Sequence, residues 1–394
     1  MIALASIAMG AGMTINFVVV APLARRAGLT EMEVAGILTL STLIYAFMIP
    51  KWGRLANRVG RKRVMVFSLF AMALTNMAFL FALNAALTGV VTGLSTFFLL
   101  VFVRFWFGLL SPGLQPASMA AITDATTPQN RAAGLGMLGA AMSIGSILGP
   151  AGAAALAPFG ALAPLWGSII FCAICGVILG YALPATRTGV KTTMRPKSLN
   201  ARDPRVAPHL IFLFIYFVAI GMIQQTLGWF IEDRYKDVMH LTEEAIVLYT
   251  GIAFACLAVT MVFIQFGYVQ PRKPDPRKML PVGLALVAIG YIIVNLVQPY
   301  WAMCLAFLVI GSGAALAVPA ANALGSLSVS REEQGSAAAL LSAAPPAGFI
   351  FGPILGAGLY QLAHYIPFYV AAAVMAVLAT YAFTVTRHRP LNLT

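Results

Sequence analysis

Charged side chains are scarce in this 394-residue sequence: Asp, Glu, Lys and Arg together make up 9% of it, against roughly a quarter in a soluble domain. That shortage excludes a soluble enzyme with a charged, solvated surface. Acidic residues are rarer still, 12 against 25 Lys and Arg, and none of the twelve falls at the centre of an apolar run. There are four cysteines, Cys172, Cys175, Cys256 and Cys304, all inside apolar runs, which excludes a disulfide framework. Cys172 and Cys175 form a C-x-x-C, yet no second cysteine pair or nearby histidine accompanies them, so they read as small packing residues rather than a metal or redox site. The four histidines, His209, His240, His364 and His388, sit near the ends of apolar runs. No His/Asp/Glu cluster and no Ser/His pair lies within the apolar runs, so the sequence offers no intramembrane catalyst, no metal centre and no cofactor site. A basic stretch of the kind that opens a signal peptide is also missing, since the first charged residue is Arg25.

Long hydrophobic runs fill the space left by charge. Hydrophobic residues make up 60% of the chain, and runs of about 20, enough to cross a hydrocarbon core of about 30 Å as a helix, recur throughout. The first six spans are expected at 2–22, 33–52, 64–84, 95–122, 132–158 and 164–183. Six more are expected at 208–231, 243–267, 279–297, 300–327, 336–360 and 365–386. Twelve such helices leave short loops and no sizeable extramembrane domain, so any function resides among the helices. The predicted fold class is an all-α membrane protein.

The formal net charge of +13 acquires a meaning once the basic residues are sorted by side. With the loop at 23–32 taken as external, 20 Lys and Arg fall on the cytoplasmic side and four, Arg25, Arg26, Arg234 and Lys236, on the other. By the positive-inside rule both termini are cytoplasmic. The positive charge is therefore a consequence of topology, its partner is the lipid bilayer, and nucleic-acid binding is excluded. The polar, basic stretch 184–207 is the natural linker between an N-terminal half, 1–183, and a C-terminal half, 208–394.

The halves share a register. At an offset of 203 residues Gly108, Pro116, Ala117, Ala120, Gly145, Gly149 and Pro150 recur as Gly311, Pro319, Ala320, Ala323, Gly348, Gly352 and Pro353. A gapless register carrying both Gly-Pro pairs implies two pseudo-symmetric six-helix halves. Parallel repeats with a binding site at their interface are a transporter architecture.

Between the second and third spans the chain reads Gly53-Arg54-Leu55-Ala56-Asn57-Arg58-Val59-Gly60-Arg61-Lys62-Arg63. This resembles the G-x-L-a-D-r-x-G-r-k signature of the major facilitator superfamily. The resemblance implies a conformational latch at this loop, in which Gly53, Arg58, Gly60 and Arg61 match the family pattern and Asn57 stands where an Asp is usual. A degenerate second copy runs from Gly267 to Lys278. The fifth span carries Gly136, Gly145-x-x-x-Gly149-Pro150 and Gly152, which looks like the antiporter motif of the superfamily's drug and metabolite exporters. The eleventh repeats it as Gly348-x-x-x-Gly352-Pro353-x-x-Gly356. Small residues every fourth position allow close helix approach, and Pro bends the helix.

Arg104 is the one cation expected within the hydrocarbon. Arg104-x-x-x-Gly108 resembles the family's R-x-x-q-G pattern, with Phe107 in place of Gln. A charge at that depth costs several kcal/mol unless it is paired or faces water, which makes Arg104 the leading functional residue. Its counterpart at the 203-residue offset is Phe307, so the charge is not duplicated. A proton carrier is less evident. Glu232 and Asp233, at the external end of the seventh span, are the nearest candidates, followed by Asp124 at the cytoplasmic end of the fourth. In this family the first, fourth, seventh and tenth helices line the cavity, which nominates Thr14, Asn16, Gln115, Gln224, Gln225, Trp229 and Asn322. The resemblance as a whole implies a monomeric secondary transporter of a bacterial inner membrane, one that exports amphipathic drugs or small metabolites by alternating access in exchange for protons. Alternatives are an exporter of an anionic metabolite such as a siderophore, with Arg104 as the anion contact, and a facilitator without proton coupling.

Overall fold

A computed structural model describes residues 1–126, 131–184, 199–330 and 333–388. Among these, every regular element is helical. In chain order the α-helices are α1 (Ile2–Arg26), α2 (Glu31–Val59), α3 (Arg61–Leu87), α4 (Leu94–Leu110), α5 (Leu114–Ala125), α6 (Arg131–Leu156) and α7 (Ala163–Ala182). Then follow α8 (Ala207–Met239), α9 (Glu243–Ile264), the short α10 (Gln270–Arg272), α11 (Pro276–Leu296), α12 (Tyr300–Leu327), α13 (Gln334–Leu341), α14 (Ala344–Leu362) and α15 (Ile366–His388). Eleven described segments are long and apolar enough to cross a membrane. The broken pair α13 and α14 occupies the place of a further span, in keeping with the twelve-helix fold expected from the sequence. Most of the linker expected at 184–207, with Arg187, Lys191, Arg195 and Lys197, lies outside the described residues.

Several boundaries differ from the sequence expectation, each for a local reason. The span expected at 95–122 is two helices, α4 and α5, because Ser111-Pro112-Gly113 interrupts the backbone hydrogen bonds. The span expected at 336–360 breaks at Ser342–Ala343, where Pro345 and Pro346 occupy the first turn of α14 and supply no amide donors. The loop expected at 53–63 is almost entirely helix: α2 continues to Val59 and α3 begins at Arg61. A single residue makes the corner, Gly60 at φ 100° and ψ 140°, a region used almost only by glycine that costs a side-chain-bearing residue about 1–3 kcal/mol. The seventh span runs two turns past its expected end at 231, so Glu232 and Asp233 lie on a continuing helix that also carries Arg234 and Lys236. At the other end of the scale, α2 begins where Thr30 caps it: its Oγ1 accepts from the Glu33 amide at 3.3 Å while the Glu33 carboxylate accepts from the Thr30 amide at 2.8 Å.

The chain divides into two compact units, Met1–Lys191 with Leu227–Ile252, and Thr192–Thr226 with Ala253–Thr394. In the first, the core gathers Phe79, Met65, Leu69, Met72 and Leu83 of α3 with Leu23 of α1 and with Trp229 and Phe230 from the later part of α8. In the second, Tyr216, Tyr291, Phe307 and Phe368 are the largest buried side chains. The 203-residue repeat has a physical expression in each. Gly108 leaves no room for a Cβ against the Ser41 carbonyl of α2, and Gly311 none against the Leu257 carbonyl of α9. Each unit therefore uses its glycine to seat one helix on another at backbone distance.

Candidate functional site

Arg104 is buried, 3% exposed, on the face of α4 turned toward α1 and α3. Its Nη2 donates to Asn16 Oδ1 at 2.6 Å, and Asn16 Nδ2 donates in turn to the Gly12 carbonyl at 2.7 Å. The guanidinium carbon lies 3.8 Å from the centre of the Phe79 ring and 5.4 Å from that of Phe107. A cation over an aromatic face gains about 2 kcal/mol when desolvated, a fraction of what losing water costs the charge. Among the described residues Arg104 forms no ion pair, and its buried Nε has no acceptor. The charge is thus held by one amide and two rings, with hydrogen-bonding capacity in reserve. Phe107, where the family pattern has Gln, supplies one of those rings, and it stacks on Tyr45 at 6.2 Å. Phe307, the counterpart of Arg104 in the second unit, is 1% exposed and packs edge-on against Phe254.

The motif at the α2–α3 corner comes together with Asp124. Arg61, 9% exposed, forms an ion pair with Asp124 at the end of α5 and donates to the Ala120 carbonyl. Its Nη2 also donates to Asn57 Oδ1 at 3.3 Å, one helical turn back across Gly60. Gly53 packs against Pro116 of α5, and Arg58 is exposed on the last turn of α2. Asp124 is therefore a structural partner of this corner in the described geometry.

The small-residue motifs are helix seats. A Cβ at Gly145 would strike the Ile7 carbonyl and one at Gly149 would meet Thr14 Oγ1 and the Ala11 carbonyl, so α6 lies directly on α1. Beyond Pro150 its carbonyl faces Gly251 of α9. In the second unit Gly348 abuts Phe217 and Gly352 abuts Val218 and Gly221, which seats α14 on α8 up to and beyond Pro353.

The remaining nominated residues separate. Trp229 is fully buried and its Nε1 donates to the Ala21 carbonyl at 2.7 Å, tying α8 to α1. Thr14 bonds back to its own helix, at the Gly10 carbonyl. Asn322 is exposed and donates to the Val318 carbonyl of its own helix. Gln115 is half-buried in the first turn of α5. Gln225 is 1% exposed with neither amide atom paired, and the buried Gln224 Oε1 likewise lacks a donor. The Gln225 amide and the Gln224 carbonyl oxygen are ready to bond a polar group brought to them.

Glu232 and Asp233 meet partners that sequence reasoning missed. Arg25 Nη1 lies 2.5 Å from Asp233 Oδ1 and 3.7 Å from Glu232 Oε2, and its Nη2 lies 3.2 Å from Glu31 Oε1. Arg26 pairs with Glu243, and Lys236 Nζ sits 3.1 Å from Glu232 Oε1. A signal was available: Arg25 and Arg26 are adjacent cations on a side that is otherwise nearly free of them. Phe79 gave no signal, because one Phe in an apolar helix looks like any other.

The comparisons with known proteins agree with this architecture. The profile of the Major Facilitator Superfamily matches residues 2–275 and 273–394. Multidrug resistance protein 2 of Bacillus subtilis is 26% identical over 362 residues, covering 86% of this chain and 84% of that protein. The class H tetracycline resistance protein of Pasteurella multocida is 25% identical, covering 82% and 78%. Among solved structures, a bacterial homolog of the human lysosomal transporter Spinster superposes with a TM-score of 0.72 at 14% identity, over 98% of this chain and 95% of that one. With the family profile matching both parts of an all-helical chain, the protein is a multi-pass membrane transporter belonging to the Major Facilitator Superfamily, and not an enzyme.

Proposed function

We propose that the protein is a secondary active exporter of amphipathic drugs or small metabolites, working by alternating access and driven by proton antiport across a bacterial inner membrane. In this reading two six-helix halves, 1–183 and 208–394, are joined by a cytoplasmic linker at 184–207, both termini are cytoplasmic and the transporter acts as a monomer. The observation that carries the direction of transport is the α6 seat, in which Gly145 and Gly149 lie backbone-to-backbone on α1 ahead of Pro150, because this Gly-Pro pattern resembles that of the exporters. The names of the relatives, multidrug and tetracycline resistance proteins, support the drug class. Arg104, Asn16, Gln224 and Gln225 are the residues proposed to handle substrate or proton, since each brings buried polar capacity to the membrane interior.

A second reading is favoured by the unused Nε of Arg104 and by the lack of an ion-pair partner for it among the described residues: the substrate is an anionic metabolite whose acid group completes the guanidinium's pairing. Proton movement in inside-out vesicles, energised to an acid interior, separates the readings. Lipophilic cations or neutral drugs that alkalinise the interior, with the response lost in Arg104→Ala, support drug–proton exchange. Alkalinisation by anionic siderophores alone, lost in Arg104→Lys as well as in Arg104→Ala, supports the anion reading, because Lys cannot reproduce a bidentate guanidinium contact. Accumulation of labelled substrate without any proton movement would rule out the antiport.

A further inference from the structure

We propose that Asn76 of α3 is a second station for Arg104, and that during the transport cycle the guanidinium leaves Asn16 on α1 and donates to the Asn76 side-chain oxygen. The proposal rests on the reading of the protein as an alternating-access exporter with the α1–α2 connection facing the exterior. All of its residues belong to the first compact unit.

Hydrogen-bonding capacity is left over in two groups. Asn76 is 2% exposed, and among the described residues neither its Oδ1 nor its Nδ2 has a partner. Arg104 Nε is in the same condition. These atoms are buried too deeply for water to reach them, so each forgoes a bond it makes in solvent, a cost that buried polar groups rarely carry. The leftovers are complementary, because Asn76 Oδ1 can accept what Arg104 Nε gives.

The helices bring the two groups together. Met72, Asn76 and Phe79 follow one another at spacings of four and three on α3, hence on one face, and all three are buried. At one end of that stripe the Met72 methyl carbon lies 3.3 Å from where a Cβ on Gly12 would sit, one turn before Asn16 on α1. At the other end the Phe79 ring centre is 3.8 Å from the Arg104 guanidinium carbon. Asn76 lies between these two contacts.

The backbone at Arg104 is held while its side chain is free to turn. Ser41 Oγ of α2 donates to the Arg104 carbonyl at 3.1 Å, and Gly108, one turn further on, is seated on α2. Nη2, which holds Asn16 Oδ1 at 2.6 Å, and the unused Nε share one edge of the guanidinium plane. A turn of that plane over the Phe79 ring carries the edge from the α1 amide to the α3 amide, and the cation keeps its aromatic face throughout. Asn16 stays anchored in the exchange, since its Nδ2 remains on the Gly12 carbonyl at 2.7 Å. Both stations are neutral, so neither traps the cation as a carboxylate would, and the packing of each conformation decides which is used.

The test uses the full-length protein in membranes with Ile246→Cys as reporter. Ile246 is 1% exposed and lines a cavity with Arg25 and Glu243, so a membrane-impermeant maleimide added outside reaches it when that end opens. Asn76→Asp places an anion at the α3 station and is expected to speed labelling several-fold over the parent. Asn16→Asp places it at the α1 station and is expected to slow labelling several-fold. Asn76→Leu removes the α3 station together with its unpaired atoms. It is expected to slow labelling while leaving the thermal midpoint in detergent equal or higher, the reverse of what losing a structural hydrogen bond does. Asp variants that move labelling in the same direction, or not at all, overturn the second station, as does an Asn76→Leu protein with a lowered midpoint. Where Asn76→Asp fails to insert, an Asn76→Leu protein labelled as fast as its parent overturns it. Proton movement evoked by lipophilic cations or neutral drugs, read in the same preparation, keeps the two ideas apart. Proton movement with unresponsive labelling removes the second station alone. Opposed labelling of the Asp variants without proton movement removes the antiport reading and retains the station.

Discussion

Asn16 Oδ1 accepts a 2.6 Å hydrogen bond from Arg104 Nη2 while its own Nδ2 is anchored to the Gly12 carbonyl, so a single neutral amide on α1 orients the buried cation of α4. An amide satisfies geometry without cancelling charge. Asn16→Ala is expected to lower stability by about 2 kcal/mol, the scale of a lost hydrogen bond to a charged group. Asn16→Asp is expected to raise the thermal midpoint in detergent by pairing the guanidinium, and to suppress transport by occupying it. A destabilised Asn16→Asp protein with normal transport would show that the charge of Arg104 plays no part in the cycle.

Arg61 is shared between Asp124 and Asn57. Asp124→Asn is expected to weaken this corner and reduce transport, and adding Asn57→Asp to it should recover part of the loss by supplying a carboxylate one turn away. In the otherwise unchanged protein, Asn57→Asp is expected to shift the population toward the outward-facing state, read as greater external cysteine accessibility. A double variant no better than Asp124→Asn would mean that the position of the acid, rather than its charge, matters.

The glycine seats predict a graded series. Gly145→Ala and Gly149→Ala push a methyl into the backbone of α1, where overpacking costs typically 1–3 kcal/mol. Gly139→Ala and Gly152→Ala on the same helix have open space within 4 Å and are expected to be neutral or slightly stabilising. Thermal midpoints of the four variants in one detergent decide it, and equal effects would refute the seating.

Acid should release the segment leading into α8. Arg205 donates to Asp203 at 2.8 Å and to Glu333 at 2.9 Å, and the Leu199 amide donates to Ser336 Oγ at 2.9 Å. The hydrogen bonds from Arg205 hold the Asp203 carboxyl down at about 2, and Glu333 is held below its usual range by the same guanidinium and by Ser330. A depressed carboxyl pKa stabilises above the unfolded value of about 3.9 and loses that contribution as the pH falls through the folded one. Amide exchange at residues 199–206 is therefore expected to stay constant from neutral pH to about 4, after correction for intrinsic rates, and to accelerate between about 4 and 2. Glu333→Gln should show faster exchange already at neutral pH.

Much of this protein is written in composition and spacing. Runs of about 20 apolar residues admit one solution in lipid, a helix that satisfies its own backbone, so the fold class, the approximate number of spans and the repeat at 203 residues were legible directly. The glycine motifs were legible too, because only small side chains permit backbone contact. Helix boundaries were less so. Hydropathy marks where a segment leaves the lipid and not where its hydrogen bonds stop, which is why α2 and α8 run on through charged residues to Gly60 and Met239. Tertiary structure alone decided the partners. That Arg104 meets Asn16, 88 positions away, and lies over Phe79, that Arg61 takes Asp124, and that Arg25 gathers Glu31, Glu232 and Asp233 follow from how helices are rotated about their axes and which faces they turn to one another. Those rotations are set by many weak packing contacts summed over the whole chain, and no local pattern encodes them.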